Sequence, residues 1–143
     1  TMKGLVAKAT TDIVAPPERV WNALTDPAAI KQYYFGTTLE SSWKPGTPIT
    51  FKGVWQGRAY EDTGVIMNFD PPRMLAYTHF SPLMGKPDKP ENHHLVTITL
   101  EPSKKGTRVT LEQDNNDSEE ARSRSQKNWE MMLSGLKKVV EEH

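Results

Sequence analysis

The chain has no cysteine among its 143 residues. Disulfides, thiolate zinc sites and a cysteine nucleophile are therefore excluded. It also has no net charge, because 18 lysines and arginines balance 18 aspartates and glutamates. A nucleic-acid-binding role driven by a basic face is thus not expected. No apolar run approaches the roughly 18 residues of a membrane span, and no signal-peptide pattern opens the chain. A cytoplasmic protein is the expectation. Repeats and low-complexity tracts are missing. So are a phosphate loop, a dinucleotide fingerprint and a G-x-S-x-G motif around Ser81 or Ser125. What remains is one domain, residues 1–143, long enough to bury a real core.

Apolar periodicity organises that domain. Between Lys3 and Val14, Leu5, Ala7, Ala9, Thr11 and Ile13 alternate with more polar neighbours. This predicts a strand whose core face is mostly small, leaving room for a helix to come close. Pro17 and Glu18 suit the first turn of a helix with Val20, Trp21 and Leu24 as its stripe. Pro27 breaks it, since proline disfavours helical geometry at Asp26. Ala28 to Tyr34 reads as a second short helix, with Ile30, Tyr33 and Tyr34 at helical spacing and Gly36 ending it.

The middle is a run of strands. Turns are expected at Pro45-Gly46, at Gln56 to Arg58, at Asp70 to Arg73 and at Lys104 to Thr107. Ile49, Phe51, Gly53 and Trp55 alternate on one strand. Val65, Met67 and Phe69 are read as the inner face of the next, followed by Leu75, Tyr77 and His79, then Val96, Ile98 and Leu100, then Val109 and Leu111. An antiparallel meander is the simplest topology. Ser118 then resembles an N-cap, with Glu119 and Glu120 in the first turn. Trp129, Met132, Leu133, Leu136, Val139 and Val140 recur at helical spacing up to Glu142. The helix predicted here has about 24 residues and is roughly 36 Å long. Its apolar stripe fills only its second half, while the first half offers Arg122, Ser125 and Gln126.

Strand, two short helices, strand meander and long final helix make an α+β pattern. A curved antiparallel sheet would wrap the helix. Because half the helix is polar, a cavity beneath it is expected. The quoted segments carry a resemblance over nearly the whole chain. "APPERVWNALTDP" (15–27), "WKPGTPITFKG" (43–53), "GVIMNFDPPRMLAYTHFSP" (64–82), "GTRVTLEQDN" (106–115) and "NWEMMLSGLKKVVE" (128–141) are its motifs. The chain resembles the homologues of the activator of heat-shock protein 90 ATPase. These lie within the START-like, birch-pollen-allergen-like helix-grip superfamily, also called SRPBCC. The resemblance implies a helix-grip fold with a hydrophobic cavity. In the eukaryotic activator a separate N-terminal domain supplies much of the chaperone contact. This chain begins directly in the first strand, so chaperone activation is not the leading expectation.

The stretch from His79 to His94 holds three of the four histidines, and Asp88 and Glu91 lie between them. Strand alternation weakens a metal reading. His93 and His94 are adjacent and point to opposite faces, with His94 inward if Val96 and Ile98 are inward. His79 and His94 are left as rim residues of a cavity. Pro82, Pro87 and Pro90 stiffen the link between their strands, and Leu83 and Met84 give this lid an apolar tip. Glu61 and Asp62 are also adjacent, so one of them could enter the cavity as an acid or base. "EQDNND" (112–117) reads as a turn capping the last helix, since it lacks the mid-loop glycine of a calcium site.

The expected function is therefore binding of a small hydrophobic or amphipathic molecule in an internal cavity. Tyr33, Phe51, Trp55, Met67, Phe69, Tyr77, His79, His94 and Trp129 would line it, and Arg122 could pair with an anionic group on the ligand. The alternative for Arg122 is a surface salt bridge. One alternative is a co-chaperone-like module that stimulates a heat-shock protein 90 type ATPase. Another is a cavity enzyme of cyclase or hydrolase type, using His79 with Tyr77 or Glu61. No cofactor, metal, nucleic acid or membrane span is expected.

Overall fold

The structure is a computed structural model, and it describes residues 2–142. β1 (Leu5–Ile13) leads into α1 (Pro17–Thr25) and α2 (Pro27–Tyr33). β2 (Thr38–Ser41), β3 (Pro48–Trp55), β4 (Arg58–Asp70) and β5 (Met74–His79) follow. Two single 3₁₀ turns, Pro82–Met84 and Pro90–Asn92, interrupt the link to β6 (His94–Ser103). β7 (Gly106–Asn116) and α3 (Glu119–Glu141) complete the chain. The strands form one curved antiparallel sheet in the order β1-β7-β6-β5-β4-β3-β2. It is thus a meander from β2 to β7, closed by β1 on β7. The α+β helix-grip pattern read from the sequence is the fold observed. No helix among the described residues is long and apolar enough to cross a membrane.

The core lies between the sheet and the three helices. Met132, Leu133, Leu136 and Val140 of α3 are buried, and α3 packs chiefly against β1. β1 permits this because Ala7 and Ala9 on its inner face carry only a methyl group. The C-terminal end of the helix is fastened by polar contacts. Lys137 Nζ donates to the Asp12 carbonyl at 2.6 Å, Arg19 to the Val140 carbonyl at 2.6 Å, and the Val14 amide to Glu141 Oε2 at 2.8 Å. The N-terminus of α3 starts as expected, with Ser118 Oγ accepting from the Ala121 amide at 3.1 Å. Gly135 lets α2 come close to α3, because a Cβ there would lie 3.0 Å from the Cβ of Tyr33.

Four local expectations need correction. β2 was not foreseen; only four residues long, it carries too short an alternation to read. The segment 112–117 continues β7 as far as Asn116 before any helix cap begins. On β4 the inner residue is Ile66, which is fully buried, while Val65 and Met67 are 37% and 55% exposed. The two-residue turn Gln56-Gly57, with φ of 49° and 78°, pairs Trp55 with Arg58 and so Phe51 with Asp62. Cross-strand partners share a face, which puts Asp62, Gly64 and Ile66 on the side of Phe51. A register shift between Ile66 and Asn68 then returns Phe69 to the inside. Trp55 is also misassigned by simple alternation. It is 57% exposed, because the β3–β4 hairpin outruns the helices that cover the sheet, and Tyr60 already fills the face above Gly53.

The bulge has a measurable consequence. Ile66→Ala is expected to cost roughly 2–5 kcal/mol in urea denaturation, as for other buried aliphatic truncations. Met67→Ala should stay within about 0.5 kcal/mol of the parent, as for other surface substitutions. The reverse order would mean that β4 packs in the other register.

Candidate functional site

The space under α3 is nearly filled by aromatic rings. Tyr33, Tyr34, Phe51, Tyr77 and Met132, with aliphatic neighbours, surround a void of about 20 Å³. That is room for about one water molecule. Phe51 is the hub: its ring lies 6.0 Å from Tyr34, 5.6 Å from Tyr77 and 5.4 Å from His79. Burial is the main reason that the Tyr33, Tyr34 and Tyr77 phenols are pushed well above their ordinary range. They remain O–H groups across the physiological range. The Tyr33 hydroxyl donates to the Ala23 carbonyl at 2.8 Å, which ties α2 to α1.

A polar group borders this wall. His79 and Asp62 are hydrogen-bonded, Nε2 to Oδ2, at 3.0 Å, and both side chains are largely buried. Asp62 Oδ1 is buried and has no hydrogen-bond partner among the described residues. His79 and His94 are register partners on β5 and β6, and their rings lie 6.3 Å apart in a stacked arrangement. His94 Nδ1 donates to the Asp114 carbonyl at 2.8 Å. A carboxylate that orients an imidazole is a general-base arrangement in many enzymes. Among the described residues no three His, Asp or Glu side chains come together as a metal site.

Two openings reach the region. One is a groove of about 180 Å³ between Tyr34, Phe35, Gln113, Ser125, Asn128 and Trp129. The other, of about 380 Å³, runs past Met84, His94, Asn116 and Arg124, between the His79–His94 link and the first half of α3. The end of β7 holds both together. Asp114 accepts from the amides of Lys3 and Leu95, and Asn115 Nδ2 donates to the carbonyls of Glu91 and His93. Asn116 Oδ1 accepts from Ser125, and Gln113 Oε1 from Trp129 Nε1 at 2.6 Å.

The expected site residues thus divide. Tyr33, Phe51 and Tyr77 line the small void with Tyr34; Trp129 meets the Tyr34 ring at 6.0 Å, His79 meets Phe51, and His94 meets His79. Trp55 and Met67 lie on the surface and line neither the void nor the two openings. Phe69 packs at 5.4 Å on Trp21 and 6.0 Å on Trp43, as core. Arg122 pairs with Glu119 and donates to Gln126, the surface alternative. Glu61 faces outward toward Lys52, so the carboxylate beside His79 is Asp62. His93 stacks on Phe80 and bonds to Asp88, away from His94. Tyr34 and Gln113 were not singled out in the sequence. Alternation leaves open whether Glu61 or Asp62 turns inward, and counting pairs back from the Gln56-Gly57 turn decides for Asp62 by setting it opposite Phe51.

Burial holds the His94 ring below its usual pKa near 6.5. The Asp114 carbonyl opposes this, His79 adds to the depression, and the Asp114 and Asp117 carboxylates oppose it more weakly. Below 6.5 the unfolded chain then binds more protons at this position than the fold does. Stability from this group is therefore lost as pH falls through 6.5 and levels off below the folded value. The His94 ring protons are expected to titrate by NMR below 6.5, and His94→Gln should flatten the acid side of the melting-temperature profile. A midpoint at or above 6.5 would contradict the burial argument.

Over residues 14–141 the chain matches the family profile described as Activator of Hsp90 ATPase homolog 1-like protein. No curated protein matches it significantly. The solution structure of ChR145 from Cytophaga hutchinsonii is 54% identical, with 99% of this chain and 97% of that one covered and a TM-score of 0.84. MLL2253 from Mesorhizobium loti is 21% identical over 96% of this chain and 98% of its own, with a TM-score of 0.77. DynU16, from the dynemicin biosynthetic locus, is 18% identical over 95% of this chain and 47% of its own, with a TM-score of 0.78. The last two likenesses are of fold alone. The profile match, the ChR145 likeness and the helix-grip architecture agree, and the chain belongs to the Activator of Hsp90 ATPase homolog 1-like family.

Proposed function

We propose that this domain binds a small amphipathic molecule, which enters between α2 and the first half of α3. The position of Tyr34 carries this reading. Its ring lines both the 180 Å³ groove and the 20 Å³ void, so it is the partition between them. Turning that one side chain outward would join the two spaces without moving the sheet. The backbone changes course there. Tyr34 ends α2, and Phe35 sits at φ 53°, a left-handed conformation that is costly for a bulky residue. The aromatic walls suit an apolar body, while Gln113, Ser125 and Asn128 suit a polar end. Fluorescence titration with N-phenyl-1-naphthylamine tests this. The parent protein is expected to bind the probe, and Tyr34→Ala to bind it about tenfold tighter, a gain of about 1.4 kcal/mol. If neither protein takes up the probe, the reading fails.

A separate observation supports a second reading, a surface for an Hsp90-type chaperone. Val54 and Trp55 at the β3–β4 hairpin are 66% and 57% exposed. Exposed tryptophan is a common anchor of protein interfaces, and the family description names an activator of that ATPase. Adding the protein to an Hsp90-type ATPase should then raise ATP turnover, and Trp55→Ala should remove most of the rise. Unchanged turnover at saturating protein would end this reading.

A further inference from the structure

The polar group at the inner end of the site has an unbalanced hydrogen-bond inventory. Asp62 Oδ1 is buried, and no hydroxyl, amide or ring N–H of the described residues reaches it. Leaving such an acceptor unmet costs about 1–3 kcal/mol, and more for a charged one. The Asp62–His79 bond uses His79 Nε2–H, because an ionised carboxylate only accepts. His94 spends its Nδ1–H on the Asp114 carbonyl, so His94 Nε2 is an acceptor as well. Burial supports that neutral form of His94. Asp62 Oδ1 and His94 Nε2 are thus acceptors without a matching donor among the described residues, and the His79 ring lies against both side chains.

Aromatic rings flank this patch. Phe51 meets His79 at 5.4 Å, and Tyr77 and Tyr34 lie 5.6 Å and 6.0 Å from Phe51. A carboxylate beside aromatic faces is the environment in which an ammonium group is favoured, through a charge-assisted hydrogen bond and cation–π attraction. A carboxylate ligand would instead meet Asp62 as a like charge. No three His, Asp or Glu side chains among the described residues come together as a metal site, and the unmatched acceptor, Asp62 Oδ1, suits an organic N–H donor.

We infer that Asp62, His79 and His94 form the head-group subsite of the domain, and that it selects a ligand carrying a hydrogen-bond donor, above all an alkylammonium, over one carrying a carboxylate. The inference rests on the ligand-binding reading. Such a ligand would lay its alkyl chain along Tyr34 and Trp129 and direct its N–H groups to Asp62 Oδ1. A preference of this kind would be local, since the chain as a whole carries no net charge.

Octylamine, octan-1-ol and octanoate share a chain length and differ in head group. Each is titrated into the protein at neutral pH and followed by NMR at the His79 and His94 rings and the Trp129 indole. Octylammonium is expected to bind at least about tenfold more tightly than octanoate, a difference of about 1.4 kcal/mol, and to move both histidine rings. In Asp62→Asn the ratio of the two dissociation constants should fall to near one. In His94→Gln, which keeps the carboxylate, it should shrink but stay above one, so either folded variant decides the matter. If octan-1-ol binds but octanoate equals or exceeds octylammonium, the subsite is wrong and the binding site stands. A preference that survives in the folded Asp62→Asn protein overturns the subsite in the same way. If none of the three compounds moves a resonance of the site, the subsite and the binding reading fall together.

Discussion

Every other part of the molecule depends on one close approach, that of the C-terminal half of α3 to β1. The approach is set by size. Ala7 and Ala9 leave the space that Met132, Leu133, Leu136 and Val140 fill. Gly135 extends it to the other side of the helix, where Tyr33 of α2 lies in contact. The helix is thereby committed to the core over its second half. Its first half cannot follow, because Arg122, Ser125, Gln126 and Asn128 offer no apolar stripe. It is held instead by two hydrogen bonds to the end of β7, through Ser125 and Trp129. Close packing at one end and polar fastening at the other create an opening in a fold that is otherwise shut.

That division explains why the candidate site lies where it does. Tyr34 sits where α2 leaves α3, between the packed and unpacked halves. Its aromatic neighbours reduce the interior to a space of about 20 Å³, far smaller than a pocket that holds a ligand of ordinary size. Binding as proposed would therefore need a moving part, and Tyr34 is the residue that lines both the void and the outer groove. The polar residues behind it are harder to explain by stability alone. A fold gains nothing from Asp62 Oδ1 left unmatched, and apolar residues of similar volume would serve the core better. The link from His79 to His94 is no loose flap, because Asn115, Lys86 and the Thr63–Phe80 bridge fasten it on three sides.

Much of this was legible in the sequence. The small face of β1, the proline break between α1 and α2, the meander and the Ser118 cap all follow from local rules that the structure obeys. The opposed directions of His93 and His94 also followed from alternation, which dissolved an apparent histidine cluster. Reading failed where alternation was interrupted. The bulge after Ile66 reverses the faces of β4, so Met67 was placed inside and Ile66 was overlooked. Trp55 obeys the alternation but lies beyond the reach of the covering helices, which no local pattern reports. Filling of the expected cavity was also hidden. It depends on where four rings from α2, β3 and β5 meet, a long-range matter of rotamers. Tyr34 was visible only as a helix residue, and its role as a partition arises from Phe35 turning the chain immediately after it.

The central claim is that Tyr34 is a mobile partition and its neighbours are not. Relaxation-dispersion NMR on the tyrosine ring carbons measures this directly, because side-chain opening of a packed site falls in the μs–ms range. Without ligand, Tyr34 is expected to exchange between a populated closed state and a minor open one, while Tyr33 and Tyr77 stay silent. Equal rigidity of all three rings, or exchange at Tyr33 and Tyr77 but not at Tyr34, would contradict the account.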